Sequence, residues 1–189
     1  MAVEKSLFVE EISAIFVEHN IFTSEEIKTI QEEFDDSPKE LFADFLLEQG
    51  LINQDDLLEM LSKYYSAPLF DVTGHFFDTF LLHKFPKDFL LRNAVIPLEL
   101  DENILIVVAS NPDVGLASKM REHVSYDIRF LVGLHRDICD GVKEYYSESL
   151  TEVVEDEDIR RTHLEEVDAL SRGVETEDLE GIPGDDEWD

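Results

Sequence analysis

The residues of this chain that could do chemistry are six histidines, one cysteine and a large excess of carboxylates. The histidines are His19, His75, His83, His123, His135 and His163, and no two of them fall at metal-ligand spacing. The single thiol, Cys139, lies in Asp137-Ile138-Cys139-Asp140. Acidic neighbours raise a thiol pKa, so this is a poor nucleophile. It has no partner for an internal disulfide and no companions for a zinc site. The run Glu155-Asp156-Glu157-Asp158 lacks the glycine and the spaced oxygen ligands of a calcium loop and reads as a solvated acidic stretch. The phosphate-binding pattern G-x-x-x-x-G-K followed by Ser or Thr is absent. So are G-x-G-x-x-G, H-E-x-x-H, G-x-S-x-G and C-x-x-C. No catalytic residue, metal site or cofactor is expected, and the chain does not read as an enzyme.

Charge narrows the partners. With 45 acidic and 15 basic residues the formal net charge is −30. Such a field repels nucleic-acid backbones and anionic membrane surfaces and favours protein partners with basic patches. One cysteine requires no oxidising compartment, so a cytoplasmic location is expected. The start, Met-Ala-Val-Glu-Lys-Ser, has no positive region before an apolar stretch and does not read as a signal peptide. Every apolar run falls well short of the ~20 residues of a membrane span. Direct membrane insertion is not expected, and any membrane association must go through another protein.

Three zones follow along the chain: a helical zone over residues 1–66, a mixed α/β zone over 67–146, and an acidic, largely disordered tail over 147–189. The tail holds 17 acidic residues and 3 arginines, with scattered apolar residues sufficient for one short helix around 158–171. The first zone contains an internal repeat. Ile15-Phe16-Val17-Glu18-His19-Asn20-Ile21-Phe22-Thr23 lies over Phe45-Leu46-Leu47-Glu48-Gln49-Gly50-Leu51-Ile52-Asn53 with no gap. Each copy is an amphipathic helix, a breaker, an apolar step and a capped second helix. Asn20 and Gly50 tolerate the left-handed conformation that ends helices. Thr23 with Glu26 forms a capping box, and Asn53 is an N-cap with Asp56 three residues on.

In the second zone Leu69-Phe70-Asp71-Val72 reads as a short strand. Residues 76–92 read as helical, with Pro86 at the first position of a second helix. Residues 94–100 and 104–110 form a hairpin around Asp101-Glu102-Asn103. Pro97 marks its strand as an edge or a bulge. The apolar run 104–108 reads as a strand buried on both faces. Asn111-Pro112-Asp113 ends that strand, and a helix at 114–124, a strand at 127–133 and a helix at 136–146 follow. The fold class is α+β: N-terminal tandem helical hairpins, then a small mixed sheet flanked by helices, then an acidic tail.

Two stretches resemble a known family. Leu46-Leu47-Glu48-Gln49-Gly50-Leu51-Ile52, continuing to Leu57, is similar to L-(L/V)-x-x-G-(L/I)-I-x-x-x-x-L of the N-terminal, or MshEN, domain of GspE- and PilB-type ATPases of type II secretion and type IV pilus assembly. Phe85-Pro86-Lys87-Asp88-Phe89-Leu90-Leu91-Arg92-Asn93-Ala94-Val95-Ile96-Pro97-Leu98 resembles its I-P-x-x-x-A-x-x-x-x-V-(I/L)-P-(L/I). Ile104-Leu105-Ile106-Val107-Val108-Ala109-Ser110-Asn111-Pro112-Asp113 continues the likeness. The resemblance spans residues 40–146, and more loosely 10–146. It implies a domain that ties a motor to the cytoplasmic part of an inner-membrane assembly protein.

In some members this domain binds cyclic di-GMP through two tandem copies of a motif with Arg and Gly at its start and Gln at its end. The two repeats lie where those copies would lie. In the second copy the Arg position is Leu41, the first Gly is Ala43 and the Gln is Tyr64. In the first copy they are Glu11, Ser13 and Phe34, and the second Gly is Asn20. A dianion needs a cation, and close backbone approach needs glycine. Cyclic di-GMP binding is therefore not expected, although a cyclic di-GMP receptor regulating pilus or secretion activity is the alternative reading. The resemblance also implies an ATPase domain that this sequence does not contain. The reading is thus an adaptor, either a stand-alone domain or the front of a longer protein, cytoplasmic and peripheral to the inner membrane through its partner. Ile21, Phe22, Leu51 and Ile52, the apolar steps after each breaker, are the expected partner-binding residues.

Overall fold

The tandem repeat is reproduced hydrogen bond by hydrogen bond in the structure, a computed structural model that describes residues 2–146. Helix α1 (Ala2–Glu18) ends where Asn20 turns left-handed at φ +57°. The Ile21 N–H donates to the Phe16 carbonyl at 2.9 Å and the Asn20 N–H to that of Val17 at 3.1 Å. Thirty residues on, α3 (Phe42–Glu48) ends at Gly50, φ +66°. There the Leu51 N–H donates to Leu46 and the Gly50 N–H to Leu47, both at 3.0 Å. Both ends are Schellman motifs, which satisfy carbonyls that a helix terminus leaves without a partner.

The second helices are capped from the same register. Thr23 Oγ1 accepts from the Glu26 N–H while Glu26 accepts from the Thr23 N–H, so α2 (Ser24–Asp35) starts in a complete capping box. Asn53 Oδ1 accepts from the Asp56 N–H at 2.8 Å to start α4 (Gln54–Tyr65). Burial repeats too: Ile12 and Phe42, Phe16 and Leu46, Ile27 and Leu57, Ile30 and Met60 are all core residues. The copies are joined through Phe34, whose ring lies 5.0 Å from Phe42 and 5.4 Å from Phe45.

The sheet has the order β1 (Val95–Asp101), β2 (Ile104–Ala109), β3 (Asp127–Val132). β1 and β2 form an antiparallel hairpin, and β2 and β3 pair in parallel across α7 (Val114–Arg121). Both expectations for Pro97 are met. β1 is an edge strand, and its register shifts between Pro97 and Glu99. A proline has no N–H to offer the ladder, and an edge bulge is where that costs least. A last helix, α8 (residues 135–146), lays Ile138 and Val142 fully buried in the sheet core.

Three expectations in this zone differ from the structure. The strand expected at 69–72 is a single parallel bridge between Leu69 and Val132, because Asp71 accepts from the Thr73 N–H at 2.9 Å and turns the chain away. The helix expected from Phe76 is one turn, α5 (Thr79–Leu82), whose start is set by Asp78 accepting from the Phe80 N–H. Pro86 is the N-cap of α6 (Lys87–Asn93) and not its first helical residue. Proline disfavours helical backbone in the residue before it, so Phe85 cannot carry α5 into α6.

Residues 2–146 form one compact unit with two apolar cores. The helical core takes in Val132 and Leu134 from the end of β3. Polar contacts run along the same seam: the Gln54 amide donates to Asp137 at 2.6 Å and the Tyr65 hydroxyl to Asn111 at 3.0 Å. The acidic segment Ser147–Asp189, including the helix expected at 158–171, lies outside the described residues.

The breakers generate a prediction. A Cβ added at Gly50 meets nothing within 4 Å, so Gly50→Ala carries only backbone strain. It should cost about 1 kcal/mol in urea unfolding with no change in m-value. Asn20→Gly, which relieves the same conformation, should be neutral to slightly stabilising.

Candidate functional site

The four apolar-step residues are not equivalent in space. Ile52 is 8% exposed and belongs to the helical core. Ile21 and Phe22 are half-buried against the same core, with the Phe22 ring edge-on to Phe16 at 5.5 Å. Leu51, at 36% exposure, is the one that faces solvent. After each Schellman turn the chain bends through these two residues before the next cap, and packing against the helical core covers one of the pair in the second copy and part of both in the first. Leu51 is thus the most exposed of the four expected residues, and Ile21 and Phe22 show solvent only their outer edges.

The positions that correspond to nucleotide-contacting residues are also placed. Phe34 is buried at 2% exposure in the aromatic cluster between the copies, so it presents nothing to a ligand. Ser13 is buried and accepts from the Gln31 amide at 2.9 Å. Leu41 carries no side-chain cap for α3 and stands exposed. Glu11 and Tyr64 meet: the Tyr64 hydroxyl donates to the Glu11 carboxylate at 3.1 Å. Burial and then the Glu11 charge hold the Tyr64 hydroxyl above its ordinary pKa, so it stays a neutral donor. The ring of Phe8 packs edge-on against Tyr64 at 5.0 Å. Where the resemblance puts a cation in one copy and an amide in the other, the chain has a carboxylate and a phenol bonded to each other. The two residues are 53 apart, and nothing in their spacing announces the contact.

A second convergence was not legible in the sequence. Cys139 Sγ lies 4.0 Å from His135 Nε2, and His135 Nδ1 lies 3.7 Å from an Asp44 oxygen. The order thiol, imidazole, carboxylate is that of a nucleophilic triad. The electrostatics are wrong for one. Burial pushes the Cys139 thiol up, and Asp140 and Asp44 add to it, outweighing the one lowering charge, Lys143. Burial likewise raises the Asp44 carboxyl, against the pull of His135. The acids foreseen as the reason for an inert thiol therefore matter less than its burial beneath α6, where Leu91 O is 3.9 Å away. Among the described residues no group of three or more His, Cys, Asp or Glu could hold a metal.

Helical tandem repeat, bulged hairpin and parallel βαβ closure define an α+β fold that known proteins share. Residues 65–152 match the model of the MshEN domain. The Type IV pilus assembly ATPase PilB of Myxococcus xanthus (strain DK1622) is 20% identical over 172 residues, which are 87% of this chain and 30% of PilB. The chain thus spans less than a third of that relative. The structure of MshE with cdg superposes with a TM-score of 0.59 at 18% identity, over 71% of this chain and 98% of that one. The N-terminal domain of XpsE gives 0.53 at 19%, over 71% and 94%. Residues 65–152 are thus similar to an MshEN domain, and the chain shares the fold of MshE and of the N-terminal domain of XpsE.

The thiol yields a measurement. At pH 7.5 Cys139 in the folded protein should alkylate with iodoacetamide at least about tenfold slower than free cysteine, since only the thiolate reacts. A rate equal to or above that of free cysteine would mean that His135 activates it.

Proposed function

We propose that this chain is a non-enzymatic docking module of a type II secretion or type IV pilus-like machine. It joins a motor or assembly component to the cytoplasmic side of an inner-membrane protein. The MshEN match supports membership of such machinery. The observation that carries the docking reading is the Glu11–Tyr64 hydrogen bond. It keeps the repeat scaffold while replacing the ligand cation with an anion. No helix of the described residues is long and apolar enough to cross a membrane, which accords with attachment through a partner.

A second reading is favoured by one finding. The MshE structure that shares this fold was solved with cdg, cyclic di-GMP, so the fold can take that ligand. Against it here stand the chemistry of Glu11, Phe34 and Tyr64 and the absence of both motif arginines. A dianion brought beside the Glu11 carboxylate is repelled, and the aromatic residue at position 34 has no amide to give.

Calorimetry separates the two. The docking reading expects no heat from cyclic di-GMP at micromolar concentrations, and retention of the cytoplasmic part of an inner-membrane assembly protein on immobilised chain. A micromolar or tighter dissociation constant for the nucleotide would establish the receptor reading instead. Leu51→Asp should keep the circular dichroism spectrum and weaken partner retention at least about tenfold, whereas Ile52→Asp should unfold the helical half. Burying an unpaired carboxylate there costs several kcal/mol. Unchanged retention by folded Leu51→Asp would remove the hairpins from the interface.

A further inference from the structure

Charge is distributed unevenly over this acidic chain. Residues 1–66 hold 16 carboxylates and 4 lysines, whereas residues 72–92 hold Lys84, Lys87 and Arg92 against Asp78 and Asp88 only. The two lysines of that segment form no ion pair among the described residues. Each instead stands over an aromatic ring. Lys84 Nζ lies 4.1 Å from the Phe80 centroid and 5.6 Å from that of Tyr126, and Lys87 Nζ lies 5.5 Å from that of Tyr146. Phe80 is 66% exposed and Phe76, four residues earlier, is 95% exposed. These are large apolar side chains that folding has left uncovered.

The segment is held in place from below. The Tyr145 hydroxyl donates to the Thr79 carbonyl at 3.2 Å and the Tyr146 hydroxyl to the Phe85 carbonyl at 3.0 Å. The His83 ring sits edge-on to both tyrosines at 5.7 and 6.2 Å. Of its two carboxylates, Asp78 is occupied capping α5. The surface is therefore pre-positioned, cationic and aromatic, on a molecule that is otherwise anionic.

We propose that this face of α5, the α5–α6 turn and the end of α8 is a docking site for an acidic, apolar-containing peptide segment of a partner protein. Carboxylates of the segment pair with Lys84 and Lys87, and its apolar side chains cover Phe76 and Phe80. The observation behind it is charge complementarity. At physiological salt the screening length is about 8 Å, so the sign of the local lysine pair and not the distant net charge decides what binds here. Cations already lying over rings lose little rotamer freedom on pairing. An anionic membrane is the less favourable occupant, because an extended lipid surface would also approach the segment's own Asp78 and Asp88 within the screening length. This surface is separate from the hairpin steps and does not rest on their role.

The test uses the full chain and a fluorescein-labelled peptide of repeated Glu-Leu-Asp-Phe, read by anisotropy. Two control peptides replace its acids by Lys or its apolar residues by Ser. The expected result is saturable, salt-sensitive binding of the acidic–apolar peptide alone. Lys84→Glu with Lys87→Glu, and separately Phe80→Ser, should each weaken it at least about tenfold, while Leu51→Asp leaves it unchanged. Circular dichroism verifies that each variant is folded, and Phe80→Ser keeps both lysines should the charge reversal perturb the fold. Equal or tighter binding of the Lys peptide, or indifference to both variants, overturns the proposal. Sedimentation with phosphatidylglycerol vesicles that is lost in the same variants, without peptide binding, replaces it with a lipid-facing surface.

Discussion

The end of β3 is the point on which both halves of the domain depend. Val132 pairs with Ala109 of β2 on one side and exchanges bonds with Pro68 and Phe70 on the other. The Phe70 N–H donates to its carbonyl, and its own N–H donates to Pro68, both at 2.8 Å. Its side chain is fully buried in the helical core, not in that of the sheet. Gly133 follows so close to β2 that a Cβ there would stand 2.5 Å from Val108 Cγ1. Leu134 then enters the helical core, and α8 starts at once. Three residues thus complete the sheet, plug the repeat and launch the last helix. A larger residue at 133 would push β3 off β2 and withdraw Val132 and Leu134 from the helices together.

That junction explains why seam contacts cluster as they do. Asp44, Gln54, His135 and Asp137 are polar groups drawn together because the chains that carry them converge on Val132 and Leu134. Partial burial raises both the Asp44 and the Asp137 carboxyl from the ordinary value. The sign follows. A carboxyl with a raised folded pKa contributes stability below its unfolded value and loses it as pH rises through the folded one. These two acids therefore oppose the fold at neutral pH, and the Gln54 amide and the His135 ring are what compensate them. The thiol beside His135 is a by-product of the same convergence, which is why it has triad-like spacing without triad electrostatics.

The repeat and the sheet carry different kinds of surface. The repeat is acidic, its second helices are capped by Thr23 and Asn53, and it holds Phe34 in the core and the Glu11–Tyr64 bond at the rim. The sheet half sets Lys84 and Lys87 near aromatic rings, ties Arg121, Arg136 and Lys143 to aspartates, and leaves two phenylalanines bare.

Much of this was legible in the residue order. The offset of 30, the breakers, Thr23-x-x-Glu26 and Asn53 are local signals, and local hydrogen bonding realises them without help from the rest of the chain. The hairpin and its bulge at Pro97 follow from turn and proline chemistry, whereas the apolar run of β2 is buried along one face and only half-buried at Ile104 and Ile106 on the other. What local reasoning misread was settled by near neighbours: Asp78 moved the start of the helix expected from Phe76 to Thr79, Pro86 became an N-cap and not the first helical residue, and Asp71 reduced a strand to a bridge. Which of Ile21, Phe22, Leu51 and Ile52 would be covered depended on how the copies pack, because two adjacent apolar residues in a bend show the sequence no inside or outside. The meetings of Glu11 with Tyr64, Asp44 with His135, and Lys84 with Tyr126 belong wholly to the tertiary structure. They join residues far apart in the chain, whose closeness is set by helix and strand packing and leaves no periodicity to read.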